Sequence, residues 1–255
     1  MNTTPKRSWI QTSKTGALLK AGIAITAYVT TMTVLYTLTH KVVFTLAFTN
    51  GLAATYIIIW RKRQASSPLI ARIYRSPTNV IMTLVMTIVI YMIAVTLAMF
   101  VKILLNAPSP IQGVSNQVPI EVIITLSILV VPIGEEALMR GFVYPVVRQQ
   151  FSAPVTIALS ACAFALLHGN AVQITLTLTL GIACGFVYEH THNLTACIVT
   201  HMLFNTLTLL PPPLSDINAE HLPTKMIVEG VAITLFSLGI MFALWWLFMH
   251  YDKKC

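Results

Sequence analysis

The sequence predicts an all-α membrane protein, a bundle of about eight transmembrane helices with both termini in the cytoplasm. Of its 255 residues, 56% are hydrophobic and only 9% are charged, and the mean hydropathy is +0.78. A soluble domain of this length has no use for so much apolar surface. The basic residues also lie in short segments beside apolar runs, which is typical of topology signals.

Eight apolar runs come near the length of about 20 residues that a helix needs to cross a bilayer. They cover residues 21–38, 42–60, 81–105, 120–147, 154–168, 172–188, 194–210 and 226–249. With no internal repeat and no recognisable soluble module, residues 1–255 are predicted to form a single membrane domain.

The basic residues predict the orientation of these helices. If the N-terminus is inside, thirteen Lys and Arg fall in cytoplasmic segments, five of them in the connection 61–75. Only Lys41, Lys102 and Lys225 fall outside. Because cytoplasmic loops carry the excess of Lys and Arg, we expect an even number of spans. The turn-rich segments 106–110 and 211–216 are then outer loops.

The fourth run contains the most unusual stretch, with Glu135, Glu136 and Arg140 inside an apolar sequence. Charged groups at this depth cost roughly 2.5–3.5 kcal/mol each on insertion scales, so they persist where they pair, line a cavity or perform chemistry. Glu136 and Arg140 are four residues apart and share a helix face, so Arg140 is expected to hold Glu136 ionised. Glu135 points about 100° away from Glu136.

Three further polar residues lie in later runs. His168 ends the fifth run, and His201 and Asn205 lie four residues apart in the seventh, where a helix places them on one face. Taken singly, each histidine is more often a packing residue than a functional one. Together with the glutamates, however, they place polar groups in three of eight runs, whereas the first two runs show little polarity beyond threonine.

This set suits acid–base hydrolysis. A carboxylate and a histidine can activate water, and Asn205 with His201 can donate hydrogen bonds to an oxyanion. Alternatively, a zinc ion could gather Glu135, His168 and His201, because two histidines and a carboxylate are a recognised zinc set. The sequence has no HExxH motif, and no serine or cysteine lies beside a histidine by local spacing.

At these residues the chain resembles the CPBP family of intramembrane proteases, which includes the type II CAAX prenyl endopeptidases and bacterial relatives linked to bacteriocin self-immunity. The family pattern is EExxxR, FxxxH and HxxxN on successive helices. The sequence matches it at Glu135, Glu136 and Arg140, at Phe164 and His168, and at His201 and Asn205.

The resemblance implies an eight-helix bundle in a bacterial cell membrane, with a catalytic core over residues 120–210 that opens to the cytoplasmic side. It implies that Glu135 and His168 activate water and that His201 and Asn205 stabilise the oxyanion, with Glu136 and Arg140 in support. The family is described both as metalloproteases and with a metal-free glutamate mechanism, so no cofactor is certain and zinc stays an alternative. The implied partners are membrane lipid and a peptide or lipidated protein substrate.

Other functions remain open at this point. A non-catalytic immunity or regulatory protein could keep the polar set as a packing network, and a proton-coupled transporter could use the same buried acids and histidines. Nucleic-acid binding is not expected, although the net charge is +8, because the basic residues follow the pattern of topology signals.

Two further features of the sequence are explained by packing. The four cysteines suit small buried residues, and Gly181 with Gly185 suits close helix packing.

Overall fold

The computed structural model describes residues 13–63, 77–107 and 118–209 and separate positions between 228 and 240, and every regular element within them is helical. The helices are α1 (Lys14–Thr39), α2 (Val42–Arg63), α3 (Pro77–Leu105), α4 (Ile120–Arg148), α5 (Ala153–Ala165), α6 (Ala171–Thr191) and α7 (Leu194–Leu209). The prediction of an all-helical protein is confirmed for these ranges.

The first seven predicted runs coincide with these helices. Within the described ranges, α1, α2, α3, α4 and α6 are long and apolar enough to cross a membrane, whereas α5 and α7 are shorter apolar helices. The described positions between 228 and 240 are helical, but most of the predicted run 226–249 lies outside the described residues. So do most of the basic connection 61–75 and of the loops 106–110 and 211–216. The total number of spans and the side of the termini stay predictions.

Side-chain and backbone caps set where several helices begin and end. Ser13 Oγ accepts a hydrogen bond from the Gly16 amide at the start of α1, and Asn170 Oδ1 accepts from two amides at the start of α6. At the ends of α1 and α6, His40 and His192 take the left-handed conformation, with φ of 52° and 48°. Each reverses the chain within two or three residues, so the helices on either side of it become antiparallel neighbours.

Helix α4 contains two π-helical segments, Leu126–Val130 and Met139–Val143. Pro132 and Pro145 each lie two residues beyond one of these segments. A proline inside a helix removes one backbone donor and clashes with the preceding turn, and a π turn relieves that conflict by widening the helix. The two prolines therefore account for both irregular segments of this helix.

Glycines set how closely α4 and α6 approach their neighbours. A Cβ atom at Gly141 would lie 2.6 Å from Ile57 Cγ2 of α2, and one at Gly181 would lie 2.9 Å from the Ala161 Cα of α5. One at Gly185 would also be within 3.1 Å of an α5 side chain. The predicted packing role of Gly181 and Gly185 is therefore confirmed, with α5 as the partner. Helix α6 also packs against α3 and α7, and α1 packs against α2 and the end of α4.

The prediction that the cysteines are small buried residues holds for two of the three that the structure describes. Cys184 and Cys197 are buried, and each thiol approaches the backbone carbonyl of the other residue, at 3.7 and 3.5 Å. Cys162 is exposed, and all three are free thiols. Cys255 lies outside the described residues. The interpretation as small buried residues is confirmed for Cys184 and Cys197 and is wrong for Cys162.

Candidate active site

The centre of the site is the ion pair of Glu136 and Arg140 on α4. Arg140 Nη1 donates to Glu136 Oε1 at 3.0 Å, and both side chains are 0% exposed. Arg140 Nη2 also donates to the Gly181 carbonyl of α6 at 2.6 Å, and the guanidinium lies 5.7 Å from the centre of the Phe164 ring. The predicted pairing along one helix face is confirmed. The same arginine also joins α4 to α5 and α6.

His201 on α7 contacts both glutamates of α4. Its Nδ1 lies 3.0 Å from Glu136 Oε1, and its Nε2 lies 3.8 Å from Glu135 Oε2. Because an ionised carboxylate only accepts hydrogen bonds, Nδ1 carries the hydrogen atom and donates a hydrogen bond to Glu136. The Nε2 atom then faces Glu135. The two glutamates point about 100° apart around the helix axis, yet both reach the same imidazole ring.

The two glutamates have different surroundings. Glu136 is completely buried, and one of its oxygens accepts hydrogen bonds from both Arg140 and His201. The Glu135 side chain is 13% exposed, and no hydrogen bond to it forms among the residues of the described ranges. Glu136 is therefore held as a structural anion, whereas Glu135 keeps its oxygens available.

His168 lies just past the end of α5, where a tight turn follows Ala165. Its Nδ1 is 3.2 Å from the Phe164 carbonyl, and its ring meets the Phe164 ring edge-on at 5.4 Å between centres. His201 meets the same Phe164 ring edge-on at 5.8 Å. Phe164, which is fully buried, therefore holds both histidines of the motifs on one aromatic ring.

Asn205 lies one turn beyond His201 on α7, and its Nδ2 donates to the Ser127 carbonyl of α4 at 2.8 Å. The sequence explains why this carbonyl is available to a side chain. In the π-helical segment the Val131 amide bonds to the Leu126 carbonyl, five residues back. By the same pattern Ser127 would pair with residue 132, which is a proline and has no N–H. The bond uses one of the two amide hydrogens of Asn205.

A second polar cluster lies at the end of α4. Tyr144 donates to Glu189 Oε2 at 2.8 Å, and Arg148 makes a forked ion pair with the same carboxylate at 3.0–3.2 Å. Tyr144 is buried, one turn beyond Arg140. Its hydroxyl group is engaged with Glu189, within this cluster at the end of the helix.

Sequence reasoning missed the polar residues that α1 and α2 contribute. Asn50 of α2 is 1% exposed and accepts a hydrogen bond from the Tyr28 hydroxyl of α1 at 3.0 Å. The sequence does contain a sign of this contact, because Asn50 is a single amide side chain in the middle of an apolar run. The prediction that the first two runs have little polarity beyond threonine overlooks it. The contribution of Gly181, through its carbonyl, also left no signal in the sequence.

The zinc alternative requires that Glu135, His168 and His201 come together as ligands. Among the described residues, no three His, Cys, Asp or Glu side chains are arranged to hold a metal ion. In this arrangement His201 Nδ1 is bound to Glu136 and His168 Nδ1 faces a backbone carbonyl. In each ring this leaves Nε2 as the atom that could bind a metal, and removal of metal from the protein is the test of the zinc alternative.

Comparison with known proteins agrees with this site. Residues 117–207 match the family described as type II CAAX prenyl endopeptidase Rce1-like, and this segment contains every residue of the three motifs. No curated protein and no solved structure gave a significant match to the chain. The resemblance of the motifs to the CPBP family is thereby confirmed. Over residues 117–207, the chain is therefore similar to the type II CAAX prenyl endopeptidase Rce1-like family.

Proposed function

We propose that this protein is an intramembrane endopeptidase that hydrolyses a peptide bond of a membrane-associated or lipidated protein or peptide. The observation that carries the proposal is the unequal pair of glutamates on α4. Arg140 and His201 hold the Glu136 carboxylate, while Glu135 beside it is partly exposed and accepts no hydrogen bond within the described ranges. A packing network needs only Glu136, and Glu135 is left available for chemistry.

In the proposed reaction, Glu135 and His168 activate a water molecule. Glu135 takes a proton from the water, and the oxygen attacks the carbonyl carbon of the peptide bond. The proton then passes to the leaving nitrogen as the carbon–nitrogen bond breaks. The family match and the partial exposure of Glu135 support this role.

The developing oxyanion needs donors that are already in place. His201 Nδ1 is engaged with Glu136, so Nε2 is the ring atom left to face the oxyanion. When Nε2 is protonated, it can donate a hydrogen bond to the oxyanion. The second amide hydrogen of Asn205 is the other donor. Both residues lie on the face of α7 that contacts α4, which supports a shared role.

We also propose the cellular setting. The protein is a single multi-pass domain, 1–255, of a bacterial cell membrane with its catalytic core at 120–210, and the site is open to the cytoplasmic side. The distribution of Lys and Arg supports this orientation. Membrane lipid and the peptide or lipidated substrate are then its partners, and nucleic acid is not one.

The test is peptide cleavage by purified protein in detergent. Glu135→Gln and His168→Ala should each lower kcat by about 10²–10⁴-fold without loss of folded protein, since each removes an acid–base group. Glu121→Gln is the matched control, because Glu121 lies exposed in the first turn of the same helix. Turnover that persists in both site variants would overturn the proposal. If Glu135→Gln protein still protects or regulates its host, the polar set serves the non-catalytic alternative.

A further inference from the structure

A hydrogen-bonded pair on α1 and α2 lies outside the segment that matches the family. The Tyr28 hydroxyl donates to Asn50 Oδ1 at 3.0 Å, and Asn50 Nδ2 donates to the Leu46 carbonyl at 2.9 Å. Both side chains are buried. Because both ends of the amide are used, the position and rotation of Asn50 are strongly defined.

Asn50 lies directly against the residue that precedes the glutamate pair. A Cβ atom at Gly134 would overlap the Asn50 side chain and come within 2.5 Å of the Asn50 Cα. Only glycine therefore allows α4 to approach α2 this closely. Since Gly134 is bonded to Glu135, the surface of Asn50 sets where α4 lies at the start of the site.

The placement of Glu135 depends on this contact more than that of Glu136 does. Arg140 and His201 hold Glu136 by hydrogen bonds, whereas in the described part of the chain the Glu135 carboxylate forms no hydrogen bond and one ion-pair contact, with His201 Nε2 at 3.8 Å. Its carboxylate is therefore oriented mainly by the position of its own helix.

We propose that Tyr28 and Asn50 are positioning residues for Glu135: the pair holds α2 against Gly134 and so keeps the Glu135 carboxylate opposite His201. Neither residue touches the reacting atoms in this proposal. It rests on the proposed hydrolysis, in which Glu135 activates water. It adds that helices outside the family-matched segment set the geometry of the catalytic glutamate.

The first experiment compares steady-state cleavage by Tyr28→Phe, Asn50→Leu and the double variant. A misplacement of about 1 Å can cost about 10²-fold in rate, so we expect kcat to fall about tenfold or more in each single variant while KM stays nearly unchanged. The double variant should lose no more than Asn50→Leu alone, because the two side chains act as one unit. Thr45→Val is the matched control, since Thr45 is a buried residue of α2 whose hydroxyl finds no hydrogen-bond partner among the residues that the structure describes.

A second measurement does not depend on turnover. In protein with Cys162, Cys184, Cys197 and Cys255 replaced by alanine, Glu135→Cys is labelled with a methanethiosulfonate reagent. Adding Tyr28→Phe should change the labelling rate, whereas adding Thr45→Val should not. A purely structural loss would instead appear as a lower unfolding temperature with an unchanged labelling rate in the folded fraction.

The outcomes separate this inference from the proposed function. If Glu135→Gln is inactive but Tyr28→Phe keeps both its kcat and its labelling rate, the positioning role is wrong and the protease proposal stands. If Glu135→Gln cleaves as fast as the wild type, the protease proposal fails, and the labelling rate still decides whether the pair positions residue 135. An equal loss of kcat in Thr45→Val would also overturn the inference.

Discussion

His201 Nδ1 lies 3.0 Å from Glu136 Oε1, although the two residues are 65 positions apart in the chain. Arg140 donates to the same oxygen, so one buried carboxylate joins the basic side chains of α4 and α7. Through the Gly181 carbonyl the arginine also reaches α6. The second glutamate of the motif is therefore the point at which three helices of the core are tied together.

The first prediction concerns the stability of this network. Glu136→Gln removes the charge that offsets buried Arg140, so we expect a loss of about 3–5 kcal/mol in the free energy of unfolding. Adding Arg140→Met should restore part of it, since an apolar side chain leaves no unpaired charge. Thermal unfolding in detergent measures both. Glu135→Gln is the control and should unfold close to the wild-type temperature; equal losses at 135 and 136 would contradict the separate roles.

The second prediction concerns Asn205. Asn205→Ala removes the proposed donor for the oxyanion and leaves the Ser127 carbonyl without its side-chain partner, so we expect kcat to fall by about 10²–10³-fold. Thr206→Ala is the control, since the Thr206 hydroxyl donates to the Met202 carbonyl of its own helix at 2.8 Å. The measurement is steady-state cleavage of a peptide over a range of substrate concentrations, which gives kcat and KM separately. If Asn205→Ala changes KM alone, the residue binds substrate and does not stabilise the oxyanion.

The third prediction concerns the contact between α5 and α6. Gly181→Ala places a methyl group 2.9 Å from the Ala161 backbone, which cannot move aside as a flexible side chain can. We expect a loss of about 1–3 kcal/mol from overpacking. Activity should fall as well, because the Gly181 carbonyl holds Arg140. Gly22→Ala in α1 is the matched control. A Cβ there meets no described residue within 4 Å, and alanine favours the helix by about 1 kcal/mol. Equal unfolding temperatures for the two variants would contradict the close contact.

The fourth prediction concerns metal. Because Glu135, His168 and His201 do not form a metal-binding group as they are arranged, we expect cleavage to survive prolonged chelation. The measurement is peptide cleavage before and after chelation, with the metal content of each sample determined by elemental analysis. Activity that is lost on chelation and restored by zinc would make these three residues ligands and would require the helices to shift from the arrangement described above.

Several elements were predictable from the chain alone. Hydropathy located the first seven helices within a few residues at most ends, because each apolar run has to form internal hydrogen bonds wherever it meets lipid. The pairing of Glu136 with Arg140 followed from the helical repeat, which places residues four apart on one face. The histidines and Asn205 were found because polar side chains are rare in such runs.

Other relationships needed the packed structure. From local spacing, the two glutamates point in different directions, and only the position of α7 shows that both reach His201. The freed carbonyl of Ser127 depends on Pro132, but its partner Asn205 lies 78 residues further along the chain. In the sequence Asn50 is an isolated amide, and only the structure shows that it lies against Gly134 of α4.

The sequence by itself determined which segments are helices and which side chains share a face, because the 3.6-residue repeat fixes relationships within one helix. Only the tertiary structure decided that Glu136 is buried as an anion while Glu135 stays accessible. It also decided that α1 and α2 contribute to the surroundings of the site. Those outcomes depend on the rotation and depth of each helix against its neighbours. These in turn are set by contacts such as Gly134 with Asn50 and Gly181 with Ala161, which no local spacing contains.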